Sequence, residues 1–181
     1  MILILLGLLL WSGAHLWKRL SPSSRARFGE KGKGIVALAS LAAIVLMVIG
    51  YRGADGAVFW GRNAALVGIN NLLMLFAFYL FAASGAKTRI TGAIRHPQLT
   101  AVKVWAVAHL LVNGDTPSFL LFSGILAWAV AEVILINRAE GPRGPYHAVP
   151  IRKEVSAVVA TLLVFAIVSG IHAWLGYNRF G

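Results

Sequence analysis

The chain contains no cysteine. Disulfides, thiolate metal sites and cysteine nucleophiles are therefore excluded. Charge is scarce too, at 13% of residues, where a soluble domain has about 25%. Acids are the scarcest, six Asp and Glu against seventeen Lys and Arg. The sequence shows no internal repeat, no low-complexity tract and no segment that reads as a soluble domain. What is abundant is apolar: 59% of the 181 residues are hydrophobic, and the mean hydropathy is +0.77. This composition predicts one integral membrane domain covering residues 1–181, with the lipid bilayer as its first partner. A net charge of +11 suggests a nucleic-acid binder at first sight. The location of that charge argues otherwise, because the basic residues sit in short loops between apolar runs, where they encode topology. No nucleic acid is expected as a partner.

Apolar runs cover residues 2–17, 34–51, 63–84, 117–137 and 155–175, and a further run reaches Asn113 from the turn at Pro97. The expected fold is all-α: a polytopic bundle of about six transmembrane helices, the fourth and fifth forming a helical hairpin. The first run is slightly shorter than the ~20 residues of a full span. It has no basic leader and no small-residue cleavage site, so a retained helix is expected. Loops 18–33, 87–103 and 138–154 hold six, four and four of the seventeen basic residues. The positive-inside bias then puts these loops in the cytoplasm and both termini outside.

One stretch is too polar for its surroundings. Arg95-His96-Pro97-Gln98 is followed by Lys103, Trp105, His109 and Asn113-Gly114-Asp115. Polar groups are costly at membrane depth, where no water solvates them. Pro97 suits the first turn of a helix. Asp115 or Thr116 caps the next helix, with Pro117 in its first turn. Trp105, His109 and Asn113 are spaced i, i+4, i+8 and share one face, and the small Ala106 beside them leaves room for a flat ligand. Ordinary small-residue helix packing explains that face equally well.

His15, His96, His109 and His172 lie in or beside apolar runs. Any one of them alone is more often hydrogen-bonded structure than a ligand. They come singly from different helices, with no His-Glu-x-x-His pattern, which suits haem iron better than zinc. Arg95 adjoins the His-Pro turn and is the basic residue expected to hold an anionic group. Glu132 is the only acid inside an apolar run; its bland reading, near the cytoplasmic interface and close to Arg138, is favoured. The adjacent Asn70 and Asn71 should face the bundle and find partners.

Arg95-His96-Pro97-Gln98-Leu99, then Trp105-Ala106-x-Ala108-His109-Leu110-Leu111-x-Asn113-Gly114-Asp115, resembles the hallmark segment of the NnrU family. Gly13-Ala14-His15 and His172 fit the same pattern. The resemblance implies a multi-pass protein of the bacterial inner membrane, linked to nitrite and nitric-oxide reduction. It extends to the cis-zeta-carotene isomerase, which uses haem b. Carried over, that enzyme's axial ligands fall on His15 and His109, while helix depth leaves His96 and His172 as alternates. Arg95, Trp105 and Asn113 would line the cofactor. The isomerase also has a cysteine three residues before the second histidine; here that position is Ala106. A thiolate ligand switch is absent, which bears on isomerisation of a polyene more than on haem binding. Two other function classes compete. One is an isoprenylcysteine-type methyltransferase using S-adenosylmethionine near His96 and Arg143, although Gln98-Leu99-Thr100 departs from its pattern. The other is a non-catalytic assembly partner of a respiratory reductase.

Depth constrains the ligand pair. If the fourth helix spans from Pro97, His109 stands about 18–20 Å above the basic face, while His15 is close to that face. Axial ligands of one iron must lie within roughly 4 Å of each other. A short hairpin between Lys103 and Glu132 would instead place His109 about 9 Å deep, near His15. A full span would put His109 nearer His172 and His15 nearer His96.

Overall fold

A computed structural model describes residues 1–142 and 149–177. Arg143, the Gly144-Pro145 break and Arg179 lie outside them. Among the described residues the chain is almost entirely helical. In order come α1 (Ile2–Leu20), α2 (Pro22–Arg27), α3 (Lys31–Arg52), β1 (Val58–Trp60), α4 (Ala64–Ala86), α5 (Ile90–Ala93), α6 (Pro97–Val112), β2 (Gly114–Asp115), α7 (Thr116–Glu140) and α8 (Ile151–Trp174). Of the expected six spans, α1, α3, α4, α7 and α8 are long and apolar enough to cross a bilayer. The remaining one, α6, has 16 residues, about 24 Å at 1.5 Å each, against a hydrocarbon core of ~30 Å.

The helix ends follow the sequence chemistry. Ser21 ends α1, and Pro22 opens α2. Asn63 Oδ1 accepts from the Leu66 N–H at 2.9 Å and caps α4. Asp115 Oδ1 accepts from the Ser118 N–H at 2.8 Å and caps α7, with Pro117 in its first turn. Pro97 occupies the first turn of α6, as expected. The loop at 87–103 is less open than expected, because α5 forms inside it and Lys103 rides on α6.

The chain divides into two compact units: residues 1–59 with 115–141, and residues 60–114 with 142–181. In the first, α1 packs on α3 and α7. Missing side chains permit the close approach of α1 and α3. A Cβ on Gly7 would stand 2.8 Å from the Ala43 carbonyl oxygen, and one on Gly50 would stand 2.7 Å from the Ile4 nitrogen. At one end of this unit the Thr116 N–H donates to the Ala57 carbonyl at 3.0 Å, and Tyr51 and Ser118 share a hydroxyl hydrogen bond of 2.8 Å. At the other end Arg19 pairs with Glu140 at 3.0 Å. So α7 runs the full length of the unit.

In the second unit, α4 packs on α6 and α8. Ala77, Leu80 and Ala101 form its core, with Ile90, Ile94, Val104 and Trp105 against them. The Glu154 carboxylate accepts from Tyr79 Oη at 3.1 Å and from the Arg89 N–H at 2.5 Å, tying the α4–α5 turn to the start of α8. Helices α6 and α7 follow one another with only Asn113–Asp115 between them; within its own unit α6 packs on α4, and α7 on α1. Long apolar side chains remain exposed along α3 and α8, among them Leu38, Leu41, Leu162 and Leu163. That is the arrangement expected when the solvent is lipid.

Candidate functional site

Three histidines share one local geometry. Nδ1 of His15, His109 and His172 lies 2.9 Å from the carbonyl oxygen four residues earlier: Trp11, Trp105 and Val168 respectively. A carbonyl can only accept, so Nδ1 donates, and whenever the ring is neutral the lone pair falls on Nε2. A backbone-held, neutral imidazole of this kind is the form that ligates a metal.

The second unit gathers most of the expected site. On α6 the Trp105 carbonyl holds His109, and the His109 carbonyl accepts from Asn113 Nδ2 at 2.9 Å. The three residues thus form a hydrogen-bonded ladder along one face. The Trp105 and His109 rings lie 4.8 Å apart at 45°. Ala106 and Ala108 are fully buried. His172, near the end of α8, lies within electrostatic range of His109. This matches the expectation for an α6 that runs the whole way.

The position of the Asn113–Asp115 turn agrees. β2 pairs with β1, in the turn between α3 and α4. Trp60 Nε1 donates to the Leu110 and Leu111 carbonyls at 3.3 and 3.2 Å, and a Cβ on Gly114 would collide with the Trp60 ring. The turn is therefore docked beside Trp60, at the end of α6 away from loop 87–103. Its cause is β pairing, a long-range contact without a period. His96 occupies the N-cap position of α6, thirteen residues from His109 and so about 20 Å away along the helix. Arg95 is beside it. The structure does not bring these two to His109.

In the first unit, His15 sits in an aromatic cage. Its ring lies 4.1 Å from Trp11 and 5.0 Å from Trp128, and the two indoles meet edge to face at 5.3 Å. Glu132 lies within electrostatic range of Arg19 and His15. Trp11, His15 and Arg19 are spaced i, i+4, i+8 on α1, and Trp128 and Glu132 stand one turn apart on α7. The two stripes make one polar seam that leads to the Arg19–Glu140 pair. Trp11 Nε1, Trp128 Nε1 and Glu132 Oε2 are buried without a hydrogen-bond partner among the described residues. Glu132 thus faces α1. The tryptophans were missed, although their spacing from His15 and Glu132 was legible.

Asn70 is buried and donates to Asn71 Oδ1 at 3.2 Å, the partnership expected of that pair. Among the described residues no group of three or more His, Asp or Glu side chains could enclose a metal ion. A two-imidazole axial set does not require one, so the donor chemistry fits haem better than zinc.

The family model described as NnrU protein matches residues 3–179. The chain belongs to the NnrU family. No curated protein and no solved structure matches it. The NnrU match spans both units, including the Trp105–Asn113 ladder and His15.

Proposed function

We propose that this NnrU protein is a bacterial inner-membrane protein that carries one haem b and serves nitrite and nitric-oxide reduction. The observation that carries the reading is the His109 imidazole, held by the Trp105 carbonyl through Nδ1, with an identically held His172 in the same unit and within electrostatic range. His109 would be one of the two residues that hold the iron. Geometry within the second unit favours His172 for the other, and the family resemblance favours His15.

When bound, haem supplies one-electron chemistry and affinity for small diatomic ligands. The chain supplies the rest. The Trp105 carbonyl fixes the tautomer and rotation of His109. The Asn113 amide ties down the carbonyl end of the same turn. Ala106 is packed within the bundle, and the apolar α4–α6 core excludes water. Nitric-oxide chemistry is favoured over polyene isomerisation because position 106 holds alanine, so no thiolate can exchange with the histidine.

An absorption spectrum of protein expressed with haem supply tests this. A Soret band is expected, lost in His109→Ala. His172→Ala and His15→Ala then identify the second ligand, whichever converts the spectrum to a five-coordinate form. No band in the unsubstituted protein, or a band untouched by His109→Ala, rejects the proposal.

A further inference from the structure

Segment 18–33 joins α1 to α3 and carries six basic residues against one acid, Glu30. The acid is taken: Lys33 pairs with it at 2.8 Å. Arg19 is paired with Glu140. Lys18, Arg25, Arg27 and Lys31 have no acidic partner among the described residues, and all but Arg25 are exposed. Topology alone accounts for such a charge cluster. It does not account for what lies beside it.

Directly below, α1 and α3 leave an open apolar groove of about 260 Å³, lined by Leu10, Gly13, Ala14, Trp17, Ile35 and Val36. The absent side chain at position 13 helps to open it, for a Cβ there would meet nothing within 4 Å. Its mouth is built. Trp17 Nε1 donates to Ser24 Oγ at 3.2 Å, and the Trp17 ring meets Phe28 edge to face at 5.3 Å. The Arg25 guanidinium lies over Trp17, 5.8 Å from the ring centre, and donates to the Gly29 carbonyl at 2.9 Å. Gly32 leaves the space that Arg25 fills; a Cβ there would overlap the guanidinium. An aromatic floor with fixed and mobile cations at headgroup level, above an apolar slot, matches a lipid with an anionic head. A larger hollow of about 480 Å³ at the other end of the same helices, lined by Met1, Ile2, Leu3, Ile49, Gly50 and Gly53, has no aromatic or basic side chain in its lining.

We propose that the α1–α3 groove binds one anionic phospholipid, an acyl chain lying between Gly13 and Val36 and the phosphate held by Arg25, Lys18, Arg27 and Lys31. The site is independent of the haem reading. It uses the juxtamembrane attraction of basic residues for anionic headgroups, sharpened by a shaped slot for the chain.

Native mass spectrometry of delipidated, detergent-purified protein tests it, titrating phosphatidylglycerol against phosphatidylcholine with the same acyl chains. One phosphatidylglycerol per chain is expected, preferred by about tenfold or more. Arg27→Gln with Lys31→Gln should weaken that binding by about fivefold for each charge removed and leave phosphatidylcholine unchanged. Gly13→Leu should fill the slot and lower the affinity for both lipids. The charge variants are on exposed residues, so they hold the test even if Gly13→Leu fails to fold. Arg152→Gln with Lys153→Gln, on α8, is the control and should have no effect. Equal binding of the two lipids overturns the proposal. So does a phosphatidylglycerol preference that survives the charge variants, or one that the α8 control reduces as much.

Discussion

Single residues in this protein act through backbone carbonyls as much as through each other. His15, His109 and His172 each lean on the carbonyl one turn back, so an apolar helix can present an imidazole without an acidic partner. Asn113 does the same for the last turn of α6. Asn113→Ala should therefore cost about 1 kcal/mol of stability, and in haem-loaded protein it should shift the Soret band without removing it. Thermal unfolding and absorption spectra check the two halves. Trp128 separates packing from hydrogen bonding. Trp128→Ala should destabilise by about 3–5 kcal/mol through the cavity it leaves. Trp128→Phe removes a buried N–H that has no partner among the described residues, and its melting temperature should match or exceed that of the parent.

At the scale of elements, caps and short strands decide where helices begin and how far they reach. Asp115 closes the start of α7 through the Ser118 N–H. Asp115→Ala should cost about 1 kcal/mol, and Asp115→Asn should recover most of it, as denaturant unfolding in detergent would show. The α1–α3 contact depends on close approach. Gly50→Leu places a side chain against Leu3 and Ile4 and should destabilise by at least 1–3 kcal/mol. The outcome would be wrong for this packing if the variant unfolds like the parent. Helix periodicity told where these elements lie to within a few residues, because apolar runs and Pro, Ser and Asn punctuation are local. The contact of β2 with β1 was not legible, since it joins residues far apart in sequence and too few to show a period.

Across the whole molecule, charge asymmetry and length assign the spans. The absence of cysteine makes this directly testable. Single-cysteine proteins Asp55→Cys and Lys31→Cys should label from opposite sides: in spheroplasts an impermeant maleimide should reach position 55, and position 31 only after permeabilisation. Labelling of position 31 alone would reverse the orientation, and labelling of both would reject their placement on opposite sides. The candidate site was only half visible at this scale. Trp105, His109 and Asn113 were found by spacing, and the structure joins them by hydrogen bonds. Arg95 and His96 were grouped with them by nearness in sequence, but a helix carries its two ends about 20 Å apart over thirteen residues.

Composition and pattern by themselves determined the membrane class, the order of the long apolar helices and the Asp115 cap of α7. Each follows from local physics: apolar length, charge placement and turn chemistry. Only tertiary structure decided which of these meet. It docked Asn113–Asp115 against Trp60, away from loop 87–103, set His172 within electrostatic range of His109 in one unit, and turned Glu132 toward His15 and Arg19 in the other. Such pairings depend on helix rotation and long-range contact, and neither leaves a period in the sequence.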